Sequence, residues 1–444
     1  MTPTSLSKFW VHDSLFVRLG TLLVVALMVA LSWATPASTI SLADNVLLTI
    51  AMITREALRV LENNLTFTKK VNRQFDDKFG VEGAKIGTVV NVRKPPRYVT
   101  RTGQALQVQD AVETQVPVTL NQQIGVDLSF SSADLALSID DFSQRFISPA
   151  IAAVANRIDQ LGLQQYINLN QIVGTPGTVP NALLTYLLAG VALDNSAAPM
   201  DGQRSITINP LMQATIVDAL KGLFQQATAI ASQYEKGVMG TAAGFDWQMD
   251  QNIATNTIGP LGGTPLVAGA GQTGATLATD GWTAAAANRL LRGNTFTIAG
   301  VYQVNPQSRE STGVLQSFLV TADTASDGAG LASIPIFPSI ITSGQFQTVT
   351  GSPADNAVIT VLGAANTVSP QGIAMHKDCF TLVTADLPLP RGVDMAARVS
   401  DKQLGISIRM IRAYDITQDA FPCRLDVLLG WATLRPELGV RIAA

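Results

Sequence analysis

Two cysteines and two histidines are all that the 444 residues contain of either type. Cys379 and Cys423 lie too far apart for a zinc-ligand spacing and are too few for a disulfide scaffold, so both read as small buried apolar residues. His12 precedes a hydrophobic segment, which leaves His376 almost alone and argues against a histidine-based triad or a multi-histidine metal centre. Charge is scarce as well: 30 Lys and Arg against 33 Asp and Glu, 14% of the chain, for a formal net charge of −3. That gives no broad basic field for nucleic acid phosphates and no acidic tail.

The motifs of common chemistry are also missing. No G-x-x-x-x-G-K-[ST], H-E-x-x-H, G-x-S-x-G or EF-hand loop occurs. The glycines of GPLGGTPLVAGAG (259–271) precede no helix with a phosphate-reading residue and read as linker. Asp140 and Asp141 fall in the first turn of a helix after Ser138, where the helix dipole accounts for them. Asp246, Trp247 and Asp250 alternate along a strand-like stretch with nothing nearby to complete a site. The reading is of a chain with no catalytic residues, no cofactor, no metal and no small-molecule substrate.

What is present is apolar bulk, 47% of residues, enough for a sizeable core and for two or three ordinary domains. A low-charge surface rich in Gly, Ala, Thr, Gln and Asn suits contact with many copies of another neutral surface. Near the start, LGTLLVVALMVALSWA (19–34) follows Lys8 and Arg18. Its length of about 16 residues is short of the ~20 that span a bilayer and fits a secretory h-region. Two readings stay open for residues 1–40: a genuine export or anchoring signal, or an extension produced by a start assigned too far upstream. The second is preferred because no cysteine pairs follow.

From Thr54 a short amphipathic helix is expected, with Leu58, Leu61 and Leu65 on one sticky side and Lys69, Lys70 and Arg73 beyond it. Strand periodicity follows in TVVNV (88–92), at Val116, Val118 and Leu120, and at Ile124, Val126, Leu128 and Phe130. Between the first two lies RKPPRYVTRTGQALQVQD, a long loop or two-stranded flap. Arg93, Lys94, Arg97 and Arg101 on its first limb face Asp110 and Glu113 on its second, either as solvated charge or as contacts to a neighbouring subunit. Ser148-Pro149 opens the strongest helix, with Ile151, Val154, Ile158 and Leu161 in one stripe. Asn209-Pro210 repeats the device after the strand SITI (205–208), and its helix turns Met212, Ile216, Leu220 and Phe224 inward. Strand, turn and helix together give an α+β element.

After about Gly259 the texture becomes β-rich. In RGNTFTIAGVYQVNP (292–306), Phe296, Ile298, Gly300, Tyr302 and Val304 share one face, which makes Phe296, Ile298, Tyr302 and Val304 the expected core. SFLVTAD (317–323), FQTVTG (346–351) and NAVITVLG (356–363) read as further short strands, and the prolines of SIPIFPSI suit only an edge strand. Such spacing makes a small barrel or sandwich. The longer pattern resumes in SIRMIRAYDI (407–416) and RLDVLLGWATLRPE (424–437), so the β-rich unit is inserted within a larger α+β domain.

Three stretches in order, MITREALRVLENNLTFTKKVNRQFDDKFG (52–80), RGNTFTIAGVYQVNPQSR (292–309) and DITQDAFPCRLDVLLGWATLRPEL (415–438), resemble the major capsid protein of short-tailed double-stranded DNA bacteriophages of the Lederbergvirus coat-protein type. The likeness runs from about residue 41 to the C-terminus; residues 1–40 depart from it. It implies the Hong Kong 97 capsid fold, α+β, with a small inserted barrel-like domain. By position this gives an N-terminal arm at 41–80, then 81–258 with an extended loop at 91–117, a peripheral domain with a spine helix at 148–168 and the first part of an axial domain, an inserted domain at 259–366, and the remainder of the axial and peripheral domains at 367–444. The resemblance further implies a homo-oligomeric shell of pentamers and hexamers, a scaffolding protein and a portal as partners, packaged double-stranded DNA held non-specifically, and assembly in the bacterial host cytoplasm into a virion capsid. Leu58, Leu61, Leu65, Arg93, Arg97, Arg101, Asp110 and Glu113 are the expected inter-subunit contacts, and removal of 41–66 is expected to leave a folded subunit that assembles poorly. The alternatives are a nanocompartment shell of the same fold or, if residues 19–34 are a genuine signal, an exported or membrane-anchored β-rich surface protein.

Overall fold

The structure, a computed structural model, describes residues 58–61, 64–73, 89–131, 148–220, 240–285, 287–400 and 405–444. The hydrophobic run 19–34, the proposed cap Thr54 and the pair Asp140-Asp141 lie outside these residues, as does Phe224.

Helix α1 (Ser148–Leu163) organises one half of the main core. Ile151, Val154, Ala155, Ile158 and Leu161 are buried along one stripe, whereas Asn156 and Arg157 are exposed. The helix tightens into a 3-10 turn, Gln164–Asn168. It packs on a five-stranded antiparallel sheet whose centre is the long strand Ala420–Thr433. One edge of that strand pairs in succession with Ser407–Arg412 and Phe380–Ala385, and the other pairs with Gln122–Ser131. Met395–Ser400 extends the sheet beyond Ser407–Arg412.

The arm threads into this layer. Residues 58–61 are helical, and Leu58, Leu61, Leu65 and Phe67 are buried in the main core. Phe67 lies 5.9 Å from the rings of both Phe380 and Trp431. Gly162 makes room for this meeting, because a Cβ there would stand 2.6 Å from Trp431 Cζ2 and 2.9 Å from Phe67 Cδ1.

The other half of the core lies on a mixed seven-stranded sheet. Its path runs Gln171–Gly174, Gly439–Ala443, Val368–His376, Arg204–Ile208, Phe245–Met249 and Thr241–Ala242, with Thr255–Thr257 also paired to Val368–His376. Arg204–Ile208 is buried at every position, as a strand covered on both faces should be. Asn209 caps the following helix α3 (Pro210–Leu220): its Oδ1 accepts from the Met212 amide at 2.7 Å. Met212 and Ile216 turn inward as their spacing predicts. Helix α2 (Leu183–Asn195) packs on the Gln171 and Gly439 strands through Tyr186, Ala189 and Leu193.

Residues 259–366 leave and rejoin this sheet at one place, because Thr255–Thr257 pairs antiparallel with Val368–Pro370. Between those points six strands run in the order Ile359–Val361, Thr295–Val304, Ser311–Val320, Ala332–Ile340, Gly274–Trp282 and Gly263–Val267. The two ends of the row meet through the Leu266–Val358 bridge, which closes a small barrel. Its own core includes Leu277, Phe296, Ile298, Val301, Phe318 and Ile334, all at most 1% exposed. At the neck, Asn294 Oδ1 accepts from the Gly259 amide at 3.0 Å, its Nδ2 donates to Thr257 O at 2.9 Å, and Arg441 Nη1 donates to Gly293 O at 2.7 Å.

Four expectations for this unit need correction. GPLGGTPLVAGAG is not linker throughout, because Gly263–Val267 is a strand of the barrel. Tyr302 is 40% exposed and Val301 is in the barrel core instead; Phe296 and Ile298 are in that core as expected, and Val304, 3% exposed, is buried outside it. The cause is Gly300, at φ +79°, where the pairing register with Ser311–Val320 shifts and the alternation slips by one residue. The strand holding Pro335 and Pro338 is interior to the row, not at its edge. It pairs with Gly274–Trp282 through 332–335 and Ile340 and with Ser311–Val320 only through 336–337, and the ladder to Gly274–Trp282 breaks between Pro335 and Ile340, over the stretch that holds Pro338. FQTVTG forms no strand; Val349 makes a single bridge to Gln303.

Candidate assembly surfaces

The flap rises from two short antiparallel strands, Val89–Arg93 and Gln115–Thr119, seated through Val92 and Val118 on Val383, Ala432 and Leu434. Residues 94–114 have no ladder of their own, and Leu106 and Val108 are 81% and 83% exposed. Among the described residues, nothing covers Leu106 or Val108. Of the charges expected to face each other across it, Arg93 and Glu113 do so at 3.4 Å. Arg97 turns to the body instead and pairs with Glu437 at 2.9 Å. Arg101 closes on the carbonyls of Gly103 and Ala105 within its own loop. Asp110 has no ion-pair partner among the described residues.

The arm leucines are placed differently from the expectation. Leu58, Leu61 and Leu65 are 7%, 0% and 1% exposed within their own subunit's core, so their side chains are not offered to a neighbour here. Burying all three against α1 removes more apolar surface from water than a partial contact would. What clasps the arm is polar and was not legible in sequence. Asp159, 2% exposed on α1, accepts from the amides of Thr66 (2.7 Å) and Thr68 (3.0 Å) and from both their hydroxyls. The Thr66 hydroxyl also lies 2.7 Å from Asp250 Oδ2. One hydroxyl proton cannot serve two carboxylates, and burial, then Asp250's charge, pushes the Asp159 carboxyl up from 3.8 against the hydrogen bonds that favour its ionised form. Lys70 adds an ion pair to Asp246. Asp246 and Asp250 thus hold the arm.

Helix α2 carries a surface that sequence reading missed. Leu184, Leu187, Leu188 and Val191 recur at helical spacing on its outer side and are 41–63% exposed. A helix apolar all round reads as fully buried, and no local signal tells which side is left open.

The scarce chemical side chains are structural. His376 is 2% exposed, with Nε2 3.2 Å from Asp201 Oδ1 and Nδ1 accepting from the Asp378 amide. Cys379 and Cys423 are buried and unbridged; burial pushes both thiols up, Cys423 to about 11. Among the described residues, no three His, Cys, Asp or Glu side chains gather as a metal site would require, and no helix is long and apolar enough to cross a membrane.

Compared along its sequence, the chain matches the family described as P22 coat protein, gene protein 5, over residues 43–443. The chain belongs to the P22 coat protein family. A member of this coat-protein family is a structural major capsid protein, not an enzyme, and its place is the virion capsid. The matched span begins after the hydrophobic run 19–34. No curated protein is matched. Among solved structures the P22-type chain is similar to one from Mycobacterium phage Che8, with 12% identity, TM-score 0.43, and 85% of this chain and 90% of that one covered. It is also similar to the capsid of Ralstonia phage GP4, with 8% identity, TM-score 0.43, and 85% and 88% covered. A virus-like particle from Pyrococcus furiosus gives 8% identity, TM-score 0.37, and 88% and 98% covered. The assignment of this P22-type coat protein rests on the match along the sequence.

Proposed function

We propose that the chain assembles as pentamers and hexamers into an icosahedral phage or prophage head of the Hong Kong 97 type, around a scaffolding protein and a portal, and that the head confines double-stranded DNA. In this reading 41–80 is the arm, 91–117 the extended loop, 148–168 the spine helix and 259–366 the inserted domain. The observation that carries it is the family match over 43–443 in a subunit with apolar surface left uncovered on the flap and on α2. Many modest, repeated contacts between such surfaces add up to a closed shell, while each one alone remains weak enough to let a misplaced subunit leave. A formal charge of only −3 over 444 residues suits a wall that encloses DNA without gripping its phosphates. Particles purified from the producing phage or induced prophage, imaged by electron microscopy and treated with nuclease before and after opening, test this. The reading predicts a portal at one vertex and nuclease-protected double-stranded DNA. Particles filled with a protein cargo and free of DNA would favour a nanocompartment and contradict it.

A further inference from the structure

A cleft of about 730 Å³ lies between the foot of the flap, the 436–437 turn and the barrel, and three cations, Lys94, Arg97 and Arg435, line it with one carboxylate, Glu437. Three positive charges less one negative leave an excess of two. Glu437 is already engaged by Arg97 at 2.9 Å and Arg435 at 3.4 Å. The Lys94 ammonium has no ion-pair partner among the described residues, and burial, opposed by Glu437 and reinforced by the two arginines, lowers its pKa. Such a shift marks a cation short of a counter-charge. Arg309, close enough to Arg97 for their charges to oppose, has Nε and Nη1 buried and without a hydrogen-bond partner among the described residues. Gln171, also in the cleft lining, is 8% exposed, and its Oε1 has no donor among the described residues. The cleft therefore lacks carboxylates for its cations and an N–H for a buried amide oxygen. Phe337, Pro338 and Phe346 give it an apolar wall.

The complement is present elsewhere on the same chain. The turn after Ser407–Arg412 reads AYDITQD (413–419), with two carboxylates and no cation. Its tip, Ile416, is 84% exposed. The turn is tied internally: Asp415 and Ala420 exchange backbone hydrogen bonds, the Asp415 carboxylate takes the Thr417 amide at 2.9 Å, and Tyr414 donates to Asp419 at 3.0 Å. Hydrogen bonding to Thr417 lowers the Asp415 pKa, so the turn is anionic at neutral pH. In one subunit the cleft is open and the tip uncovered, so each is left for another copy.

We propose that the cleft of one subunit receives the Asp415–Asp419 turn of a second copy of this chain, with Ile416 against the Phe337–Pro338 wall and the carboxylates on Lys94 and the arginines. The proposal rests on the shell reading above. It is tested with two forms of the full chain, Ile416→Cys and Gln307→Cys, mixed before assembly and oxidised mildly after particles have been isolated. Gln307 is an exposed residue of the cleft rim, and the two natural thiols are buried. The expected result is a disulfide-linked heterodimer found in particles and not in free subunits. Its yield should fall by roughly tenfold when Lys94→Glu is added to the cleft partner, and recover with Asp415→Lys in the turn partner. Well-formed particles without the crosslink, or a crosslink indifferent to Lys94→Glu, overturn the pairing and leave the shell reading standing. An absence of particles from the unmodified chain with its phage's scaffold, seen before any oxidation, overturns both.

Discussion

At the scale of single residues, Gly300 decides which side chains of its strand are core. Its left-handed φ of +79° sets a bulge that turns Val301 inward and Tyr302 out. Ile298→Asp and Val301→Asp should each cost about 4 kcal/mol or more, because each buries a carboxylate with no partner. Tyr302→Asp should stay within about 1 kcal/mol, as exposed positions do. Thermal unfolding of the soluble subunit separates the two classes, and a Tyr302→Asp variant as unstable as Ile298→Asp would contradict the bulge. Alternation was legible in the sequence up to Ile298 and not past it, since a glycine in a strand pattern signals a possible slip without saying that one occurs. The same limit applies to Arg441, fully buried at the neck over Tyr166 with its pKa brought down to about 10 by burial. Arginine in a strand otherwise made of Gly, Val, Ile and Ala predicts an outward side chain, and the approach of the Gly293 carbonyl from the inserted unit, with the Tyr166 ring, explains an inward one.

At the scale of elements, α1 and the arm form one unit. Gly162→Ala should destabilise by about 1–3 kcal/mol despite alanine's better helix propensity, because its methyl group meets Trp431 and Phe67. A neutral or stabilising result in denaturant unfolding would contradict that packing. Deleting 41–66 should open the main core at Leu58, Leu61 and Leu65 and yield a poorly folded chain, not the folded, assembly-deficient subunit that the sequence alone suggests. The clasp is also pH-sensitive. Unfolded, Asp159 ionises near 3.8; burial raises the folded value, so the stability it contributes is fully present below 3.8 and is lost as pH rises through the raised value. Hydrogen exchange at the Thr66 and Thr68 amides, corrected for intrinsic rate, should show opening becoming easier across that window, and a flat or inverse profile would contradict the assignment. The helix stripes of α1 and α3 were readable because apolar spacing and Ser-Pro or Asn-Pro starts act locally. The clasp was not, because Thr66, Asp159 and Asp250 come together only through the fold.

At the scale of the whole molecule, the α+β frame and the β-rich segment within it follow from a change of texture near Gly259 and its reversal near Val368, and the Thr255–Thr257 pairing with Val368–Pro370 supplies the geometry. The surfaces were less legible. Hydrophobic pattern reports burial, and an apolar residue uncovered in one subunit, such as Leu188 or Ile416, looks in sequence like any core residue. Leu184→Asp with Leu188→Asp should therefore leave subunit unfolding within about 1 kcal/mol of the original and sharply reduce particle yield. The most direct measurement of the account is sedimentation and electron microscopy of the full chain produced together with the scaffolding protein proposed for it. Closed, curved particles built from this chain are predicted; a chain that stays dispersed as monomer under those conditions would contradict it.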